Sequence, residues 1–195
     1  MSKERLAAFT DAVLAIIITI LVLELKQPET LTIKGFLKLW PNYMAYAISF
    51  FWLGAMWINM HNEWYNVKRI STGTLWATLI VLFFSSLFPY ATNIVAEHYD
   101  SQGAQVFYGI IVLLITFANM NMYASIARVD ANKTLGEWAM RHDRNWTFID
   151  IVIKIIGLAI AVTVYPPAML YSVLVTLLLL VIPNQIKHEQ LERRN

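Results

Sequence analysis

Residues 4–25 read ERLAAFTDAVLAIIITILVLEL, with an arginine at 5, an aspartate at 11 and then an uncharged run from Ala12 to Leu23 before Glu24. About 20 residues of helix cover the roughly 30 Å hydrocarbon layer of a bilayer. The run is continuously apolar and lacks the alternation of a barrel strand, so it predicts a membrane-crossing helix. It follows Lys3 and Arg5 as a leader peptide would. It is longer than a leader's apolar stretch of roughly 7–15 residues, contains Asp11, and is followed by no small-residue cleavage pattern, so it is expected to be retained.

The rest of the chain is of the same kind. Of 195 residues, 58% are apolar and only 14% are Asp, Glu, Lys or Arg, against roughly 25% charged in a soluble domain. Mean hydropathy is +0.53. Six stretches are candidates to cross the bilayer, at about 6–25, 43–60, 74–93, 104–126, 147–165 and 168–184. Polar connections separate them, including the run from Arg128 to Asn145 and the Pro166-Pro167 turn, which cannot continue a helix. The predicted fold is all-α: a polytopic membrane protein in which residues 1–195 make a single six-helix unit. The first three spans do not resemble the last three, which disfavours two inverted halves within the chain. With no cysteine there is neither a disulfide framework nor a thiolate metal site, and a net charge of +2 is too small for a nucleic-acid partner.

Orientation follows from Lys and Arg. With the N-terminus inside, the inner segments carry 11 of these residues and the outer segments carry three, Lys26, Lys34 and Lys38. That bias predicts both termini to be cytoplasmic.

Charges inside the spans are few: Asp11, Glu24, Asp150 and Lys154. Asp150 and Lys154 are four apart on one helical face and read as a mutually neutralising structural pair. Glu24, near Lys26 at the outer end, reads as solvated. Arg5 and Asp11 are six apart, too far for a simple pair on one helix. Either each finds a partner on another helix or subunit, or Arg5 anchors at the headgroups while Asp11 caps a helix start. Ile16, Ile20 and Leu23 form one stripe, with Thr19 adjoining it. On residue type alone, that stripe is packing and Thr19 bonds a carbonyl of the preceding turn. Trp57, Asn59 and His61 close the second span, and Trp76 opens the third. They predict a hydrogen-bonded polar layer joining the first three spans, with His61 as a structural donor and no metal site.

These residues carry a resemblance. Arg5-x-x-x-Phe9-Thr10-Asp11, followed by an apolar helix ending TILVLEL, resembles the first-helix signature Arg-x-x-x-Phe-Ser-Asp of the prokaryotic branch of the transmembrane protein 175 family of potassium channels, relatives of the endosomal and lysosomal potassium channel. Thr10 stands where the family has Ser. Trp57, His61, the close of the third span LFFSSLFPYAT, the six-span unit and the chain length agree with it. The resemblance implies a homotetramer in the cell membrane, the inner membrane in a bacterium, that conducts potassium ions without a cofactor. It further implies that the first helix of each subunit lines a central pore. Ile16, Thr19, Ile20 and Leu23 would then face the path, with Ile16 as a hydrophobic gate and a transient potassium ion near Thr19. Arg5, Phe9, Thr10, Asp11, Trp57, Asn59 and His61 would form the supporting motif and polar network. The family lacks the usual potassium selectivity loop, and here the nearest approach to one, Tyr108-Gly109, falls in the fourth span.

Two rival classes bear on the same residues. A proton- or cation-coupled secondary transporter would use Asp11, Glu24 or the Asp150/Lys154 pair as its relay. An enzyme is not expected, since the chain carries no Gly-x-Ser-x-Gly and no His-Glu-x-x-His.

Overall fold

The computed structural model describes residues 2–67, 69–129 and 133–181, and among these every regular element is helical. In chain order they are α1 (Lys3–Leu23), α2 (Ile33–Lys38), α3 (Trp40–Asn66), α4 (Thr72–Ser86), α5 (Phe88–Glu97), α6 (Gln102–Val129), α7 (Lys133–Thr163) and α8 (Ala168–Thr176), with α8 running on into a π turn at Leu177–Val181.

Each boundary has a local cause. The Ser2 hydroxyl accepts from the Arg5 amide at the start of α1. Ser71 and Thr74 form a reciprocal capping box at the start of α4. Pro41 and Pro89 lie in the first turns of α3 and α5, where a missing N–H costs nothing. Pro167 is the N-cap of α8, so the double proline divides the last two helices as the sequence predicts.

Four boundaries differ from the sequence reading. The third stretch, 74–93, is not one helix but α4 and α5, which meet at Leu87. Pro89 has no N–H to bond back to the preceding turn, and its ring crowds the carbonyl four residues earlier. The connection between the first two spans holds α2, capped by the Thr32 hydroxyl. The second stretch extends to Trp40–Asn66, and α7 starts at Lys133, well inside the expected polar connection. Hydropathy marks only what lipid surrounds, whereas a helix continues until a cap or breaker stops it. Residues 182–184 of the sixth stretch lie outside the described residues. Among the described residues, three runs are long and apolar enough by themselves to cross a membrane: α1, the α4–α5 run over Thr72–Glu97, and α6.

α6 is the central post, packed against α4, α5, α7 and α8, while α1 lies against α3, α4 and α5. α8 seats closely on α7 because Gly157 offers no side chain there. A Cβ at that position would collide with Ser172. At the middle of the bundle Thr92 donates to Ser49, whose hydroxyl pairs with the Tyr108 hydroxyl at 3.1 Å. Tyr108 and Gly109 are therefore part of a buried helix face and form no loop.

Candidate functional site

α1 packs on one side only. Leu6, Thr10, Leu14, Ile17 and Leu21 recur every three or four residues and are buried. This is the inward stripe of a 3.6-residue period. The opposite side carries Arg5, Phe9, Ile16, Thr19 and Leu23, all exposed, with Ile16 at 59% and Leu23 at 79%. Ile20 is only half-buried and lies at the edge of this stripe. The helix thus presents an apolar row with one hydroxyl to whatever lies beyond the single chain.

Thr19 combines two features that the residue type alone sets against each other. Its side chain is exposed, and its hydroxyl donates to the Ile16 carbonyl at 2.8 Å. With the proton so committed, the oxygen lone pairs remain to accept from outside or to meet a cation. Thr10, one residue before Asp11, is buried and donates to the Leu6 carbonyl at 2.9 Å.

Asp11 lies in the third turn of α1, so it caps nothing. Its Oδ1 accepts from the indole Nε1 of Trp57 at 2.8 Å, and His61 places its ring 5.8 Å from that of Trp57. Of the polar layer predicted to join the first three spans, this α1–α3 bond is the part the structure holds, with Asn59 half-buried on the same helix. Trp76 is exposed and stands outside it. At this end α4 instead joins α6, through Thr74 and Ser125 hydroxyls 3.1 Å apart. The Lys3 ammonium donates to the Val67 carbonyl at the end of α3 at 2.7 Å.

At the other end of α1, Glu24 is half-buried and has a partner within the chain. It accepts a hydrogen bond from the Asn93 amide of α5, and Lys26 pairs with Glu97, one turn further along α5, at 2.9 Å. Asn93 and Glu97 were not singled out in the sequence, although an Asn and a Glu four apart at the end of an apolar run mark a shared face. Above them Tyr99 donates to Tyr171 at 2.7 Å. Gln105 bridges the Tyr99 carbonyl and the Leu170 amide.

The fifth-span pair is buried. Lys154 is 1% exposed and donates to Asp150 Oδ2 at 2.6 Å, with the Thr116 hydroxyl at 3.3 Å and the Trp52 ring centroid 5.0 Å away. The pair thus sits among α3, α6 and α7, with the second oxygen of Asp150, Oδ1, buried and without a hydrogen-bond partner.

Comparison with known proteins gives the family. The family model described as "Endosomal/lysosomal potassium channel TMEM175" matches residues 5–89. A protein of Chryseobacterium named a potassium channel is 36% identical over 159 residues, 82% of each chain. A second, from Chamaesiphon minutus, is 32% identical over 71% of this chain and 72% of that one. The crystal structure of a lysosomal potassium-selective channel TMEM175 homolog from Chamaesiphon minutus superimposes with a TM-score of 0.75 over 95% of this chain and 97% of that chain, at 22% identity. The chain is an all-helical membrane protein. It belongs to the TMEM175 family, in its prokaryotic branch.

Proposed function

We propose that this chain is the subunit of a potassium-permeable cation channel of the cell membrane, with four copies arranged so that the free face of α1 lines the central path. The observation that carries this reading is the one-sided packing of α1: a full-length apolar helix buries Leu6, Leu14, Ile17 and Leu21 and leaves Ile16, Thr19 and Leu23 uncovered. The names of the bacterial relatives, each a potassium channel, support it. Six crossings put both termini in the cytoplasm, and residues 1–195 act as one unit.

In this arrangement four Ile16 side chains form a constriction that excludes water, because an ion cannot shed its hydration shell against hydrocarbon without compensation. The Thr19 oxygens, one turn further on, replace part of that shell around a passing potassium ion. Ile20 flanks the ring. Arg5 and Phe9 lie on the same side toward the cytoplasm, and the Asp11–Trp57 bond holds the helix at its level.

Purified protein in liposomes, assayed for potassium, sodium and caesium flux together with single-channel recording, tests the reading. Unitary currents carried by potassium are expected. Saturating flux that needs a counter-ion, with no unitary events, would make the chain a transporter.

A further inference from the structure

The three basic residues that break the charge bias all lie in one connection, between α1 and α3. Lys26 is bound by Glu97. Lys34 and Lys38 stand four apart on one side of α2. The nearest acid to Lys38 is Glu29 at 3.4 Å, with both side chains largely open to solvent, a pairing that contributes little. Beside the lysines runs an apolar arc. Ile33 is 81% exposed and Leu37 65%, with Phe36 next to them, and no residue of α2 is buried. Leu31 before the helix and Trp40 after it are exposed as well.

The remaining side of α2 is closed by its own chain. The Thr30 carbonyl lies so close to Gly35 that any side chain there would collide with it. The Thr32 hydroxyl accepts from the Gly35 amide at 3.2 Å. The segment is tied at both ends to the end of α5 and the turn that follows it: Lys26 meets Glu97, and the Trp40 ring meets Tyr99 edge-on at 5.0 Å. α2 is thereby held where α1 and α3 leave the apolar layer, with its aliphatic arc and its lysines turned outward.

We propose that α2 is an interfacial anchor that lies in the headgroup layer, with Ile33, Phe36 and Leu37 dipping toward the acyl chains and Lys34 and Lys38 against lipid phosphate. An apolar arc bordered by lysine at the hydrocarbon boundary fits this partner, because it matches a surface that is apolar beneath and anionic above. The anchor sits at the tip of the connection that ends α1, so it fixes the depth of that helix. The inference rests on the membrane reading of the chain, and the test separates the two.

The native chain has no cysteine, so Ile33→Cys, Leu37→Cys and Glu29→Cys each give one spin-label site in the full protein. Phe83→Cys and Ile156→Cys, both at exposed positions of spans, report the membrane reading. The proteins are placed in phosphatidylcholine bilayers with and without phosphatidylglycerol, and label collisions with oxygen and with a water-soluble nickel chelate are measured. Oxygen should exceed nickel at 33 and 37 as it does at 83 and 156, with the order reversed at 29. Phosphatidylglycerol should deepen the label at 37, and Lys34→Gln/Lys38→Gln should abolish that shift. Nickel access at 33 and 37 with oxygen access at 83 and 156 overturns the anchor alone. Shielding of 33 and 37 from both reagents puts a second copy of the chain there instead, and also overturns it. Nickel access at all four positions overturns the membrane reading as well.

Discussion

Trp57 of α3 reaches Asp11 of α1 with an indole-to-carboxylate hydrogen bond of 2.8 Å. The aspartate of the first-helix motif therefore has a partner within the chain, while Arg5 lies on the exposed side. Removing the donor in Trp57→Phe leaves a partly buried carboxylate short of a partner and should cost about 1–3 kcal/mol. Thermal unfolding of detergent-solubilised protein, followed by the loss of the folded peak in size-exclusion chromatography, reads this directly. An unchanged midpoint would mean that water serves Asp11 equally well.

Arg5→Ala should separate from that result. The subunit fold should change by no more than about 0.5 kcal/mol, as at an exposed site, while the yield of assembled oligomer falls. Well-assembled Arg5→Ala protein with altered ion preference would instead put Arg5 on the ion path.

Ile16 is exposed on the free face, and Ile16→Asn makes any ring of these side chains wettable. Unitary conductance should rise several-fold at equal protein density. Currents equal to those of the parent would place the constriction elsewhere.

Thr19→Val keeps shape and removes the oxygen whose proton is already committed to the Ile16 carbonyl. Folding should barely change, because that carbonyl keeps its backbone donor. Potassium-over-sodium preference should drop, measured as a reversal potential under bi-ionic conditions. An unmoved reversal potential would leave the hydrophobic ring as the only filter.

The buried pair gives a prediction in two parts. Lys154→Met strands Asp150 and should destabilise by about 3–5 kcal/mol, whereas Asp150→Leu with Lys154→Met should recover most of the loss. Unitary currents in the double variant, with near-parental melting, would show that neither charge is a relay.

Much of this was legible in the sequence because it depends on local pattern. The helical class, the divide at Pro166-Pro167 and the Asp150/Lys154 pair all follow from spacing within one or two turns, whereas spacing reads the Ile16, Ile20 and Leu23 stripe as packing, and in the chain Ile16 and Leu23 are exposed. The break at Leu87 was missed, although Pro89 was in view, because the apolar run continues across it. α2 was missed because six residues carry too little periodicity to stand out from a connection. The partners of Glu24 and Lys26 are not legible for another reason: Asn93 and Glu97 are about 70 residues away, and only the packing of α5 on α1 brings them near. Thr19 shows the limit of reading by residue type, since bonding its own helix and facing outward are compatible.

Two polar fastenings of α1, Asp11 to α3 and Glu24 to α5, are 13 residues apart by their numbers, which is about 20 Å at 1.5 Å per residue. A rod riveted at two levels to two different struts can neither spin about its long axis nor slip by a notch without shearing a rivet. What it can still do is bow between them, where only apolar packing holds it, or travel with α3 and α5 as one frame. Ile16 and Thr19 sit in that unriveted middle, where the rod's permitted deflection is largest.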